Sequence, residues 1–436
     1  MTSCCLMLLA LVGAGNEQVI DAFDYADSAA AAQAWPASEH TPPVTMVEDD
    51  GRRVLEMATP FASKPDLSRA VIDRKVKLDL SVPGEITLEI GSPTADKVGR
   101  LSLYFRSGDG WYSGGAELSK KGWQTLRFSK ASFRTEGKPA GWHQIDGVRV
   151  AIWRGPAADA AVRLRRLAAL WHDVALVIPS PDLHPGSQEM RAALSAADTV
   201  GDMLSRLGLG SDAVEEKAVA QGALGKRHVA ILAHNPGIDP EAVAALERFV
   251  EEGGKVVVCY NLSPALGKTL GFGRPKYFRP ETPGQLAEIR FEATDIPGMP
   301  KAVKQNSWNI TTAEPAGHNA RVVARWFDPQ GQPTGHAAML VSDRGAFFSH
   351  IVLTDDMDGK RQMLAALLGH LYQPVWKQIV QSKLESLLRI GHFDNPGDLV
   401  RYVSASANAV AEAKFQAAKK TYQEAMQKQA SGDYPR

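Results

Sequence analysis

The sequence predicts a multidomain chain of β plus α/β class: an N-terminal β-sandwich, an open doubly wound α/β domain and a helical C-terminal segment. Three observations predict it. Period-two hydrophobic alternation fills the chain from about residue 19 to 169. Short apolar runs then alternate with helical patterning, and from about residue 373 the pattern is helical throughout. With 436 residues the chain is too long for one ordinary domain, and 44 % hydrophobic with 22 % charged residues is a globular composition. The expected division is 1–15, 19–172, 173–373 and 374–436. Lys+Arg and Asp+Glu are equal at 49 each, so no global basic field exists to hold nucleic acid. The three cysteines, Cys4, Cys5 and Cys259, exclude a disulfide scaffold and a Cys-based zinc module.

Residues 1–15 read MTSCCLMLLALVGAG, an apolar run to Val12 followed by small residues. A permanent membrane helix needs about 20 apolar residues. The run instead fits a secretory signal, with Val12-Gly13-Ala14 or Gly13-Ala14-Gly15 at the cleavage site. No Lys or Arg precedes it, and a buried first strand is the other reading. Cleavage would leave Cys259 as the sole thiol. No second apolar stretch is long enough to span a bilayer, so an exported protein (periplasmic, cell-surface or extracellular) is expected.

Within the first zone, Gly84–Ile90, Leu101–Phe105, Gln124–Phe128 and Val148–Trp153 alternate apolar and polar residues between turn signals, as strands with one buried face do. Ser107-Gly108-Asp109-Gly110 and Ser113-Gly114-Gly115 carry the chemistry of a hairpin tip. Val174–Pro179 opens the second zone. A helix follows over Ser187–Leu207, a strand over His228–Ala233 and a helix over Pro240–Glu252 closed by Gly253-Gly254. A third strand is expected at Lys255–Cys259. Later strands at Ala287–Ala293, Arg321–Trp326, Ala337–Val341 and Ala346–Leu353 read as additions, partly antiparallel hairpins, before a helix over Lys360–Tyr372. Beyond residue 373, Ala405–Gln429 is rich in Ala, Lys, Gln and Glu. Its thin stripe of Phe415, Tyr422 and Met426 suits a helical spacer that leads to a following domain.

The chain has no G-x-S-x-G elbow, P-loop, H-E-x-x-H or strand-borne G-x-G-x-x-G. Gly271-Phe272-Gly273-Arg274 is half a glycine fingerprint behind a helix. Asp355-Asp356-Met357-Asp358 precedes a helix start, where carboxylates cap orphan N–H groups; a metal site is the other use of such a cluster. No cofactor is expected, and a structural calcium is left open. Cys259 and His350, both at strand ends, are the one pair to weigh as a nucleophile and its base. Cys259 follows Val-Val-Val and has no flanking glycines, which reads as a buried strand cysteine. His234 ends its strand in a turn and could meet a ligand or lie at a helix cap.

The aromatics are the richer signal. Of nine tryptophans, Trp35, Trp111, Trp123, Trp142 and Trp153 fall in the first zone with Tyr104, Phe105 and Tyr112. Sugars stack their C–H faces on exposed rings while amides, carboxylates and Arg satisfy the hydroxyls, in sites of mostly apolar lining with a few placed polar groups. Trp111, Tyr112, Trp142 and Trp153 are the candidate carbohydrate contacts. Trp153 is opposite in parity to Val148, Val150 and Ile152. Trp123 and Phe128 are expected to fill the core, and packing is the alternative for each ring singly.

Asp21-Ala22-Phe23-Asp24-Tyr25, Ile231-Leu232-Ala233-His234-Asn235-Pro236 with Phe249–Lys255, and Phe347-Phe348-Ser349-His350 through Lys360–Leu364 carry a resemblance. Together they resemble the N-terminal half of large bacterial family-10-like glycosyl hydrolase proteins, in which a catalytic (β/α)8 barrel follows. The resemblance implies a jelly-roll-like sandwich of galactose-binding or carbohydrate-binding type. It also implies a flavodoxin-like α/β domain related to class I glutamine amidotransferases. Working members of that fold carry Cys in a G-x-C-x-G elbow and a later strand-end His; His350 fits the latter and the elbow is missing, which implies an inactive domain. The residues after Gln373 are too few for a barrel of about 250 residues. The expected function is therefore a non-catalytic, polysaccharide-binding accessory portion of an exported glycoside-hydrolase-like protein. Two alternatives stand beside it: a hydrolase or amidase using Cys259 or His350, and an envelope assembly protein whose sandwich binds protein.

Overall fold

The computed structural model describes residues 16–118, 121–180, 186–292, 295–387, 402–403, 405 and 409–432. The expected export signal, with Cys4 and Cys5, lies outside the described residues. The chain forms two compact units, Ala14–His172 and Asp173–Arg436, and its class is β plus α/β.

The first unit is an antiparallel sandwich. One sheet orders β3 (Thr45–Asp49), β4 (Arg52–Pro60), β11 (Asp159–Trp171), β6 (Glu85–Ser92) and β8 (Gly122–Ser129), with β1 (Asn16–Asp21) also paired to β11. The other orders β2 (Ala37–Ser38), β5 (Arg69–Leu78), β10 (Ile145–Trp153), β7 (Arg100–Glu117) and β9 (Arg134–Pro139). Period-two alternation sends Leu55, Met57, Ile86, Leu88, Ile90 and Leu164 from the first sheet against Ile72, Leu103, Phe105, Val148, Val150 and Ile152 from the second. The long element β7 doubles back on itself. The Tyr104 and Trp111 rings lie 6.2 Å apart, and a Cβ on Gly115 would strike the Arg100 guanidinium. Seven residues of straight strand would instead separate the first pair by roughly 23 Å. The reversal falls at Ser107-Gly108, where Gly108 takes φ +57°, in the stretch whose glycines read as a hairpin tip.

The opening motif Asp21–Tyr25 is a structural knot. Buried Asp21 accepts from Phe23 N at 2.6 Å, the Tyr25 hydroxyl at 2.5 Å and Trp35 Nε1 at 2.8 Å, and it pairs with Arg74. Helix α1 (Ser28–Ala34), capped by Asp27, delivers Trp35 onto Phe23 at 5.2 Å. Trp123 departs from expectation: it lies on the outer side of β8, over Gly91 and beneath Arg165 (4.4 Å), donating to Asp49 at 3.1 Å. Its parity is opposite to that of core-facing Leu126 and Phe128.

The second unit is built on a nine-stranded sheet. Its parallel half runs β13 (Ser211–Glu215), β12 (Val174–Ile178), β14 (Val229–Leu232), β15 (Lys255–Cys259) and β22 (Gly345–Phe348), the 2-1-3-4-5 order of flavodoxin-like sheets. The antiparallel half continues through β21 (Pro333–Ser342), β20 (Arg321–Phe327), β17 (Leu286–Phe291) and β18 (Ala302–Ser307). A small ribbon pairs β16 (Lys276–Phe278) with β19 (Ile310–Thr312). Strand residues alternate between two cores. Leu176, Ile231 and Val257 meet α2 (Gln188–Leu207) and α6 (Met357–Leu371), whereas Val177, Leu232 and Val258 meet α4 (Pro240–Glu251) and α5 (Pro264–Leu270). Helix ends follow local chemistry. Ser187 caps α2 and Asp239 with Pro240 starts α4, while Gly208 (φ +79°) closes α2 and Gly271 (φ +85°) closes α5. That gives Gly271 a capping role in place of a phosphate-binding one. Strand β22 ends at Phe348, earlier than the expected Leu353, because the chain turns away at Ser349-His350. Beyond α7 (Pro374–Leu387), helix α8 (Ala409–Ser431) is largely exposed along its length. Among the described residues no helix is long and apolar enough to cross a membrane.

Candidate functional site

The outer face of the β2-β5-β10-β7-β9 sheet is set by register. Arg149 stands opposite Asp73 on one side and Tyr104 on the other, and Trp111 stands opposite Glu136. One row across the sheet therefore reads Asp73, Arg149, Tyr104, Trp111, Glu136. Arg149 grips Asp73 with Nε to Oδ1 at 2.7 Å and Nη2 to Oδ2 at 3.2 Å, and its guanidinium carbon sits 4.9 Å from the Trp111 ring centre. Arg106 approaches the same indole at 6.0 Å and pairs with Asp146 at 2.6 Å. Four residues farther along β10, roughly 13 Å away at strand rise, Trp153 donates to Ser102 Oγ at 3.0 Å. Arg69 lies 4.9 Å over that ring and forks onto Glu39 at 2.5 and 2.7 Å. The hydrogen bond from Arg69 holds the Glu39 carboxyl below the ordinary range, so the pair stays ionised at neutral pH. The face is a set of half-buried rings in a frame of guanidinium–carboxylate forks.

The four candidate rings part company here. Trp111 and Trp153 share this outer face. Tyr112 points inward into the core, and Trp142 stacks on it at 4.1 Å with 14° between planes, against Phe105 and Phe133. Tyr112 packs into the core because neighbours on a strand face opposite sides, so Trp111 outward forces Tyr112 inward, and the half-buried Trp142, between β9 and β10, packs on it.

The Cys259–His350 couple does not assemble. Cys259 is buried beside Ile231 and Phe348, and burial pushes its thiol up to about 12, the opposite of an activated nucleophile. No hydrogen bond joins it to His350 among the described residues. His350 Nδ1 instead lies 3.0 Å from the Ile351 carbonyl oxygen and 3.3 Å from Gln305 Nε2. Burial drives His350 down to about 4, so it is neutral at pH 7.

The ends of the parallel strands nevertheless bring His234 and His350, weighed separately from the sequence, together with Tyr260, Asn261 and Trp308, which the sequence did not single out. His234, after β14, bonds Asn261 Oδ1 through Nδ1 at 2.5 Å and lies 6.0 Å from the Tyr260 ring. Tyr260 and Trp308 both contact the His350 ring, at 5.5 and 4.9 Å. Two fixtures hold the loop that follows His350. Buried Gln305 donates to the Ile351 carbonyl at 3.0 Å and accepts from Leu353 N at 3.3 Å. Fully buried Lys360 donates to the Leu353 carbonyl at 2.9 Å and to Asp355 at 2.8 Å. The Asp355–Asp358 cluster is used the same way: Asp356 caps α6 through Gly359 N and also accepts from Lys304 N, and Asp355 accepts from Asn306 N. Nothing in the local sequence marks Trp308, which follows β18 without a motif. Tyr260, an aromatic directly after an apolar parallel strand, was the available signal.

No family model and no curated protein matches the chain. Among solved structures it is similar to a family 11 carbohydrate-binding module from Clostridium thermocellum in complex with a β-1,3-1,4-mixed-linked tetrasaccharide. The identity is 12 %, covering 35 % of this chain and 95 % of that one, with a TM-score of 0.28. A putative ThuA-like protein from Bacteroides uniformis is similar at 15 % identity over 48 % of this chain and 91 % of the other, with a TM-score of 0.34. α-L-Fucosidase isoenzyme 2 from Paenibacillus thiaminolyticus is similar at 17 % identity over 46 % and 33 %, with a TM-score of 0.33.

Proposed function

We propose that the sandwich, residues 19–172, binds an oligosaccharide or polysaccharide across the outer face that carries Trp153, Tyr104 and Trp111. In this reading the chain is a non-catalytic accessory portion of an exported glycoside-hydrolase-like protein. The observation that carries the reading is the row Asp73, Arg149, Tyr104, Trp111, Glu136 with Trp153 and the Arg69–Glu39 fork beyond it. Rings supply surface for C–H stacking, and the forks hold donors and acceptors rigid for hydroxyls at little entropic cost on binding. Tethering polysaccharide this way would raise its local concentration for a linked catalytic domain.

Affinity electrophoresis of the full chain in gels containing mixed-linked β-glucan or agarose tests it. Retardation should persist in about 1 M NaCl, where charges are screened beyond roughly 3 Å. Trp111→Ala should weaken binding about tenfold or more. Retardation that salt abolishes, or that Trp111→Ala and Trp153→Ala leave unchanged, rejects the reading.

A further inference from the structure

We infer that the α/β unit carries a second saccharide site of its own, at the carboxyl ends of β14, β15 and β22, formed by Trp308, Tyr260, Tyr277, His234, Asn261 and Asn309. Open α/β sheets bind ligands outside the carboxyl ends of their strands at the point where strand order reverses. Here that point lies between β12 and β14, and His234 lies two residues past the end of β14.

The rings are displayed at a cost. Trp308 is 57 % exposed and Tyr277 62 % exposed, the kind of surface that folding ordinarily covers. Trp308 stands at 90° to the His350 ring, so an imidazole braces the indole from beneath while much of the indole stays open. Asn309 reaches the Tyr277 hydroxyl at 3.4 Å and also bonds Tyr260. Tyr260 itself sits at φ +62°. A bulky L-residue in the left-handed region is strained, and such strain concentrates where a side chain must be aimed at a ligand. The turn is held by Tyr260 N donating to the Phe348 carbonyl at 2.9 Å.

The charge of the site selects the ligand class. The polar groups at the rim are two amides, two phenols and an imidazole. Burial lowers His234, so it offers a neutral ring. The nearby ionic groups Lys360 and Asp355 are paired with each other below His350. None of the described residues assigned to the rim is a cation, so they offer a phosphate or carboxylate no ion pair, whereas they offer an uncharged polyhydroxylated ring a stacking surface and hydroxyl partners. This site does not depend on the sandwich reading.

The test uses the full chain carrying Trp111→Ala and Trp153→Ala, which removes the outer-face rings of the sandwich, and saturation-transfer NMR with D-glucose, D-galactose, L-fucose and a mixed-linked β-glucan tetrasaccharide. At least one of these should still bind, and adding Trp308→Ala should weaken it about tenfold or more with an unchanged thermal midpoint, since Trp308 is exposed. Three results overturn the inference: no saccharide binding to the double variant, binding indifferent to Trp308→Ala, or displacement of the bound sugar by AMP at equimolar concentration. A weakening of wild-type binding by Trp111→Ala that leaves a Trp308-dependent remainder would separately uphold the sandwich reading, so the two fail independently.

Discussion

The outer face of the sandwich and the strand-end cluster of the α/β unit use the same rings in opposite electrostatic settings. On the sandwich, Trp111 and Trp153 lie under guanidinium groups that are themselves locked to Asp73 and Glu39. At the strand ends, Trp308 and Tyr260 surround neutral imidazoles and amides, and the ionic pair Lys360–Asp355 stands back as a fastening. A sheet positions side chains by register, so neighbouring strands share the burden and single losses are small. A loop has no register, so its geometry depends on a few buried pins. The contrast teaches that fragility should follow the pins rather than the rings.

The largest expected effect sits in the sandwich and would break that contrast if absent. Asp21→Ala leaves Arg74, Trp35 Nε1, Tyr25 and Phe23 N without their shared acceptor. It should cost on the order of 4 kcal/mol, read as a lowered urea midpoint. Next comes acid sensitivity at the strand ends. His350 has its pKa depressed to about 4, below the unfolded value of about 6.5, so the unfolded chain binds the proton first. Stability is complete above about pH 6.5 and falls as pH drops toward 4, by on the order of 3 kcal/mol in all. His350→Gln should flatten that part of the pH–stability curve relative to wild type, and parallel curves would contradict the assignment.

Lys360→Met should cost about 2 kcal/mol by leaving the Leu353 carbonyl and Asp355 without their donor. It should also weaken saccharide binding at Trp308, sharpening the claim that pins govern this site. The smallest effect belongs to the sheet: Arg149→Ala should shift stability by only about 0.5–1 kcal/mol, because the fork to Asp73 is partly solvated. A larger loss would mean that the outer face is a structural lattice and that its rings are held by charge.

Much of the fold was legible because its signals are local. Period-two alternation marked β6, β8 and β10, and Gly253-Gly254 marked the end of α4. Lys255–Cys259 was readable as a strand from its apolar run. β13 and β18 were missed because short strands with charged alternate residues, such as Ser211–Glu215, look like loops. In the site, parity alone should have split Trp111 from Tyr112 and turned Trp123 outward. No local rule could have gathered Trp308, Tyr260 and His350, since they arrive from three separate crossings of one sheet. The resemblance drew attention to His350 as a strand-end His; in the structure it follows β22 and its ring contacts those of Tyr260 and Trp308.

One feature of the sheet bears on how the molecule is made. β22, the last strand among the described residues, is inserted between β15, formed some ninety residues earlier, and β21. It is fitted so closely that a Cβ on Gly345 would lie 1.9 Å from the Val256 carbonyl oxygen. During synthesis, Val256–Cys259 on one flank and Met339–Val341 on the other must wait as open, apolar edges until four residues emerge to join them. The nascent chain is therefore most exposed to edge-to-edge aggregation just before residue 345 leaves the ribosome, and a message cut there would yield a sticky product.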